Sequence, residues 1–535
     1  MNKRMKYDEI KNIYSLVEYF EEISKFYGSE VAINQSGLKK TVTYWELYES
    51  ALSIAGEFSR RGYKEKNIVL IGDFSYQWIA TFFGILISGN VVVPINPALE
   101  EQKINDLTNF VDAVSMIQLN SAHRKESISL QVNVEKISDS DIIEIAEKKS
   151  YAFEVQHIES NQLAMLLFTS GTTGKEKCVM LTHKNIICDT KGAILATQLG
   201  TDMYGSNLVP VLPVFHMFQI TAGFLAPMFY GVTYCINTSN PILLESFKEY
   251  KPVSLFVVPL ILESIYKRIM SNKRKCFELK VLHCIHYLLS FFHIDVRDVL
   301  FRKIYRIFGE NIHYIICGGA ACKKEVIKFF NDIGIVTMVG YGTTECSPII
   351  SCNMNGFVKY DSVGFCLPNE FVEVKIVEQE IWVKGDIVMS GYYKNSKATS
   401  EAFNKGWYMT GDMGVIDTEG YLYITGRKKN VIIMSDGNNI SPEEIESRLK
   451  EKNQIEEVIV YCRREGSHEL LSAMIYPNYE EYIGCSKEII IKDIKQIVKN
   501  YNLTCLKYMY ISHVEIMDEP FKKNMLGKEK RYEYI

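Results

Sequence analysis

NIVLIGDFSYQWIATFFGILISGNVVVPINP, residues 67–97, decides the fold. It opens on a compact apolar run from Asn67, passes through the helix-like segment YQWIATFFGILIS, and ends in a second apolar run stopped by Pro94 and Pro97. Apolar runs this short read as buried strands, and strand, helix, strand in succession is the signature of an α/β fold with a mostly parallel sheet. The pattern extends outward: Tyr44 to Arg61 has apolar residues at helical spacing, and LAMLLF before residue 169 and VSLFVV from Val253 repeat the strand signal.

Beyond about Asp361 the texture becomes short alternating strands, FVEVKIV, EIWVKG and GYLYITG, which read as a smaller β-rich subdomain. A third texture begins at Asn430. There SPEE offers Ser441 as a helix N-cap, Pro442 at the first helical position and Glu444 three residues on, the pattern of a capping box at the start of a small domain.

The 535 residues are 47% hydrophobic and 23% charged, ordinary for a globular protein and long enough for more than one domain. A net charge of −4 and the lack of basic runs interleaved with aromatics argue against nucleic acid as a partner. The charged start, MNKRMKYDEIKNIY, is unlike a secretory signal, which places the protein in the cytoplasm. The 13 cysteines contain no CxxC pair and read as buried small hydrophobes rather than a zinc site or disulfide framework. The longest apolar runs, 78–93 and 281–294, are broken and too short to span a bilayer.

Four segments carry chemistry. FTSGTTGKEK, from Phe168 to Lys177, follows a strand and packs two glycines among hydroxyls and lysines, a composition suited to a polyphosphate but equally to a polar surface turn. Its spacing is not that of a P-loop. YGTTE, from Tyr341 to Glu345, supplies an aromatic face for a base, hydroxyls for a phosphate and a carboxylate for Mg²⁺. YMTGD ending at Asp412 and GRKKN from Gly426 flank a predicted strand; an aspartate accepting from ribose hydroxyls, with an arginine nearby, would fix a nucleoside. In the tail PFKKNMLGKEKR, Lys528 follows Gly527, and a lysine there is a compact cation able to reach a phosphoryl oxygen.

Taken in order, with PVFH at Pro213 to His216, GGA at Gly318 to Ala320 and GYY at Gly391, these segments resemble the acyl-adenylate-forming superfamily over almost the whole chain, from about Tyr44 to Arg531. That superfamily includes acyl-CoA synthetases, firefly luciferase and nonribosomal-peptide adenylation domains. The resemblance implies an α/β fold with a large N-terminal domain, 1–427, of two α/β subdomains plus the β-rich subdomain, and a small mobile α+β lid, 430–535.

By matching position it also implies roles. Thr169, Ser170, Gly171, Thr172, Thr173 and Gly174 with Lys175 and Lys177 form the phosphate loop, and Gly319, Ala320, Tyr341 and Gly342 hold adenine. Thr344 contacts the α-phosphate, Glu345 the Mg²⁺, Asp412 and Arg427 the ribose, and Lys528 catalyses adenylation. Lys429 falls at the interdomain hinge, and the loop at Gly437 lines the route of the acceptor's pantetheine arm. Three departures stand out: Glu176 where the family has proline, a negative charge beside the phosphate loop that weakens ATP binding; Cys178 where it has glycine, tolerable if φ is negative; and PFKKNMLGK where the family's C-terminal motif is closer to a proline, lysine, threonine spacing.

IYRIFGENIHYIICGGAA and an insert from about Lys267 to Arg302 resemble the long-chain fatty-acid–CoA ligase branch. His216 sits at the gate between acyl and thiol sites in that reading, or is a satisfied structural histidine in the plainer one. MFQITAGFLAP after it offers no aspartate for an amino acid's ammonium and does offer Gly223 in apolar surroundings, which suits a hydrocarbon tail. The implied substrates are a medium- or long-chain fatty acid, ATP and coenzyme A, with a free-standing carrier protein as the alternative acceptor and an inactive acyl-nucleotide-binding relative as the less favoured class. Within the insert, basic KRIMSNKRK beside apolar VLHCIHYLLSFFHI suggests either peripheral membrane contact or a core helix covering the acyl tunnel.

Overall fold

A computed structural model describes residues 3–36, 41–124, 126–129, 134–148, 155, 157–169, 176–237, 243–270, 273–292, 294–434, 439–465, 468–523 and 529–535. It comprises two compact units, residues 1–373 with 383–408, and residues 374–382 with 409–535.

The first unit contains two mostly parallel sheets, as the strand and helix alternation predicts. One runs in the order Gly391–Tyr392, Lys177–Thr182, Leu163–Thr169, Val91–Ile95, Asn67–Ile71, Ser115–Gln118, Glu135–Ser138. Asn67–Ile71 pairs parallel with Val91–Ile95, and between them runs the helix Tyr76–Ile87, whose first turn is capped by Ser75 accepting from the Trp78 N–H. Every residue from Trp78 to Ile87 is buried. Gly84 is the contact point with the helix Tyr44–Arg60, since a Cβ there would lie 2.6 Å from Ile54 Cγ2.

In the other sheet the order is Phe365–Cys366, Ile349–Cys352, Val336–Gly342, Tyr314–Cys317, Ser254–Val257, Asn207–Leu208, Thr233–Ile236, Val31–Gln35, Val42–Thr43. Its central strands Ser254–Val257, Tyr314–Cys317 and Val336–Gly342 are parallel, so their carboxyl ends lie side by side on one edge. In open α/β sheets that edge is where ligands bind.

The short strands predicted beyond Asp361 form as Val372–Val377, Glu380–Gly385, Trp407–Ile416 and Leu422–Arg427. In the second unit a three-stranded sheet, Ile455–Glu465, His468–Pro477 and His513–Ile516, packs against helices Pro442–Lys450 and Lys487–Asn502. Ile445, Leu449, Val458, Val460, Ile475 and Ile494 form its core.

Three expectations require correction. Pro442 does open its helix, but Ser441 makes no capping bond; its hydroxyl donates to the Thr425 carbonyl at 2.7 Å instead, a partner from outside the local sequence. The cysteines are not uniformly buried, since Cys284 and Cys485 are exposed. Finally, the apolar insert is not a core helix: it forms Lys273–Ser290, on which none of the described side chains is buried, while Tyr287, Phe291 and Phe292 stand in solvent.

Candidate active site

Two of the predicted segments meet at the carboxyl ends of neighbouring parallel strands. Gly318 to Ala320 follows Tyr314–Cys317, and Tyr341 and Gly342 end Val336–Gly342, with Cys317 and Val339 in register. Gly319 adopts φ +85°, a backbone conformation natural to glycine. Gly342 is required for a different reason, close approach: a Cβ would fall 1.8 Å from the Pro348 carbonyl oxygen. A Cβ on Gly318 would sit 3.1 Å from the Phe218 ring, so the segment carrying His216 packs against this loop.

Thr344 and Glu345 lie in a single 3-10 turn, Thr344–Cys346, tied down by the Thr343 N–H to the Pro348 carbonyl (2.9 Å) and the Met389 N–H to the Glu345 carbonyl (2.8 Å). The Glu345 carboxylate accepts a 2.9 Å hydrogen bond from the Tyr392 hydroxyl. Tyr392 is buried, and burial together with that carboxylate pushes its phenol well above the usual tyrosine range, so it stays a donor. Over its ring, 4.4 Å from the centroid, sits the Lys177 ammonium. The Thr343 hydroxyl oxygen is buried with no partner among the described residues.

Lys177 begins the strand Lys177–Thr182, which pairs antiparallel with Leu163–Thr169, so the hydroxyl- and glycine-rich segment joins two adjacent strands. Thr169 and Lys177 are directly opposite, and the Thr169 hydroxyl donates to the Lys177 carbonyl at 3.4 Å. Ser170, Gly171, Thr172, Thr173, Gly174 and Lys175 lie outside the described residues, as do Gly437 and Lys528. The negative charge of Glu176 has a local partner, the Lys103 ammonium at 2.6 Å. Cys178 is buried within the strand with no left-handed backbone, so glycine is not needed there.

His216 precedes a π-helical stretch, Gln219–Leu225, in which all seven residues are buried. Burial pulls the imidazole pKa down to about 4, which favours the neutral ring, and Nε2 has no partner among the described residues. Gln219, 1% exposed, likewise leaves both amide atoms unpartnered among the described residues, and glycine at 223 makes room for it: a Cβ would lie 2.5 Å from Gln219 Oε1. The absence of an acidic group after His216 in sequence is not an absence in space. Asp189, fully buried one helix away, accepts the Ile349 N–H at 3.0 Å and interacts with Thr221. Burial pushes its pKa up, against the hydrogen bonds from Ile349 and Thr221, which favour the charged form.

In the second unit Asp412 and Arg427 occupy opposite positions of an antiparallel pair, Arg427 Nε bonding Asp412 Oδ1 at 2.8 Å. Asp412 is 3% exposed. Gly411, at φ +71°, turns the chain so that its N–H reaches Glu380 Oε1 at 3.1 Å, and Lys428 pairs with the same glutamate at 2.8 Å. Lys429 is exposed in the turn Lys428–Asn430.

The sequence alone missed Tyr392 as more than a member of GYY, the Lys103 partner of Glu176, and the buried amide of Gln219. The first two depend on neighbours distant in the chain, the third on burial by the surrounding fold, and only the tyrosine of GYY left a local trace.

A family model described as AMP-binding enzyme matches residues 20–393, and one described as AMP-binding enzyme C-terminal domain matches 429–531. The chain is 26% identical over 426 residues to the long-chain-fatty-acid–CoA ligase FadD15 of Mycobacterium bovis, covering 74% of this chain and 70% of that one. It is also 26% identical over 607 residues to the chloroplastic long-chain-fatty-acid–[acyl-carrier-protein] ligase AEE15 of Arabidopsis thaliana, covering 92% and 81%. Among solved structures, ATP-bound MatB from Rhodopseudomonas palustris has the same fold, with a TM-score of 0.76 over 96% of this chain and 97% of that one at 19% identity.

Proposed function

This chain belongs to the AMP-binding enzyme family, and from that premise we propose that it activates a medium- or long-chain fatty acid with ATP, as an acyl-adenylate and then as a coenzyme A thioester. In the first step a carboxylate oxygen attacks the α-phosphorus and pyrophosphate leaves. In the second the thiol sulfur attacks the acyl carbonyl carbon, AMP leaves, and the thiol proton passes to solvent.

The observation that carries the reading is the chain of contacts Lys177, Tyr392, Glu345. It fixes one cation and one carboxylate, from segments far apart in sequence, around a buried phenol. Lys177 with residues 169–175 binds the triphosphate; Thr344 meets the α-phosphate; Gly319, Ala320, Tyr341 and Gly342 take adenine; Asp412 and Arg427 take ribose. Glu345 and the Thr343 hydroxyl, which has no partner among the described residues, are hard oxygen donors that would suit Mg²⁺, which when bound would neutralise charge on the phosphate oxygens.

Lys528 stabilises charge on the departing pyrophosphate, and the Gly437 loop guides the pantetheine arm. Both belong to the lid, 430–535, which turns about Lys429 relative to the adenylate-forming domain, 1–427. The neutral His216 gates an acyl site whose π-helical wall, apart from Gln219 and Thr221, is apolar. A carrier-protein thiol is the alternative acceptor, favoured by the long alignment to the carrier-protein ligase relative.

Pyrophosphate exchange across short, long, aromatic and amino acids, followed by trapping with coenzyme A or carrier protein, tests this. Long-chain acids are expected to drive exchange and to appear on coenzyme A. Thioester only on carrier protein reverses the acceptor, and no exchange with any acid sinks the reading. Lys528→Ala is expected to lose exchange while still making thioester from supplied acyl-adenylate.

A further inference from the structure

The helix Lys273–Ser290 and the turn after it present apolar side chains on both faces. Leu279 and Leu282 pack against the core of the first unit, and His283 lies against the Phe301 ring at 4.8 Å between centroids. The other face carries Val281, Ile285, Leu288 and Phe292, at intervals of four, three and four residues, and these are 42%, 40%, 66% and 65% exposed. Tyr287 at 80% and Phe291 at 82% widen that stripe. A contiguous exposed apolar surface of this kind marks an interaction site.

Charge identifies what covers it. Residues 267–306 carry ten lysines and arginines against three acidic residues, a net charge of +7 in a chain whose total is −4. Two of the three carboxylates are neutralised locally, Glu278 by Lys303 at 2.9 Å and Asp295 by Arg297 at 2.6 Å. Lys267, Arg268, Arg302, Lys303 and Arg306 are exposed. The remainder of the chain holds −11, so an anionic surface attracts this segment and repels the rest, which orients the protein. No described helix is long and apolar enough to cross a membrane.

We propose that this insert is an interfacial docking element for an anionic lipid bilayer, lying in the membrane plane with Tyr287, Leu288, Phe291 and Phe292 among the acyl chains and the basic residues at the headgroups. A second copy of the chain is a poorer occupant, because pairing the stripes would bring +7 against +7. The inference does not rest on the acyl-activating reading, and its readout needs no substrate.

The test is cosedimentation with vesicles of phosphatidylcholine alone and of phosphatidylcholine with phosphatidylglycerol at a ratio of about 7:3, at low and high salt. The parent is expected to bind the anionic vesicles, with at least fivefold loss on neutral vesicles or in high salt. Phe291→Ser with Phe292→Ser is expected to lower binding to anionic vesicles at least tenfold with an unchanged thermal unfolding curve; Tyr287→Asp serves as an independent variant should that pair misfold. Arg302→Glu is expected to weaken anionic binding selectively. Failure of the parent to bind, or binding by Phe291→Ser/Phe292→Ser or Tyr287→Asp equal to the parent, overturns the proposal. A concentration-dependent dimer in lipid-free solution that the double variant abolishes overturns it in favour of a second copy.

Discussion

Tyr392→Phe removes the hydroxyl that links the ring under Lys177 to the Glu345 carboxylate. The phenylalanine ring keeps the surface under Lys177, 4.4 Å away in the parent, and removes the hydroxyl that donates to Glu345 at 2.9 Å and also interacts with Tyr408. A hydrogen bond to a charged acceptor contributes about 1.5–3 kcal/mol, and Glu345 is only partly buried, so the lower half of that range applies. Loss of about 2 kcal/mol corresponds to roughly a 30-fold drop in kcat/KM for pyrophosphate exchange.

The drop should be accompanied by a rise in the Mg²⁺ concentration needed for half-maximal rate, because Glu345 loses its orienting partner. Thioester formation from supplied acyl-adenylate should be unaffected. Since the phenol pKa is displaced upward, out of the working range, the ratio of parent to variant should be constant from pH 6 to pH 9. Exchange within twofold of the parent, or an equal loss in both half-reactions, refutes the argument.

Gly342→Ala forces a methyl group to within 1.8 Å of a backbone carbonyl oxygen that cannot rotate away, so a loss on the order of 3 kcal/mol in stability and of most exchange activity is expected by thermal unfolding and assay. Asp412→Asn, which leaves Arg427 without its 2.8 Å charged partner, should raise KM for ATP about tenfold or more while shifting the unfolding midpoint little; an unchanged KM removes Asp412 from the nucleoside site. His183 is fully buried, with Nδ1 accepting the Leu16 N–H and its pKa pulled down by burial to about 3. Because its folded pKa lies below the unfolded value of about 6.5, its contribution to stability is present above that pH and lost as pH falls toward 3. Denaturant titrations should therefore show about 2 kcal/mol lost between pH 7.5 and pH 5 that is missing in His183→Gln, and parallel curves for the two proteins would contradict this.

The sequence by itself determined the elements and their order. Apolar runs with Gly and Pro stops gave the strands Asn67–Ile71 and Val91–Ile95, helical spacing gave Tyr44–Arg60, and the ordered motifs carried the family resemblance. These are legible because a strand or turn is specified by residues within a few positions of one another. Tertiary structure decided whatever depends on partners far along the chain. Lys103 pairs with Glu176 from 73 residues upstream, Thr425 takes the Ser441 hydroxyl that local sequence assigned to a cap, and Tyr392 reaches Glu345 across 47 positions. Asp189 is a fully buried acid beside Thr221, bonded to the Ile349 N–H 160 positions away, for the same reason. The insert shows the limit most plainly: an apolar stretch of 14 residues reads identically whether a core or a solvent faces it, because hydrophobicity is a property of the side chain and burial a property of what packs against it.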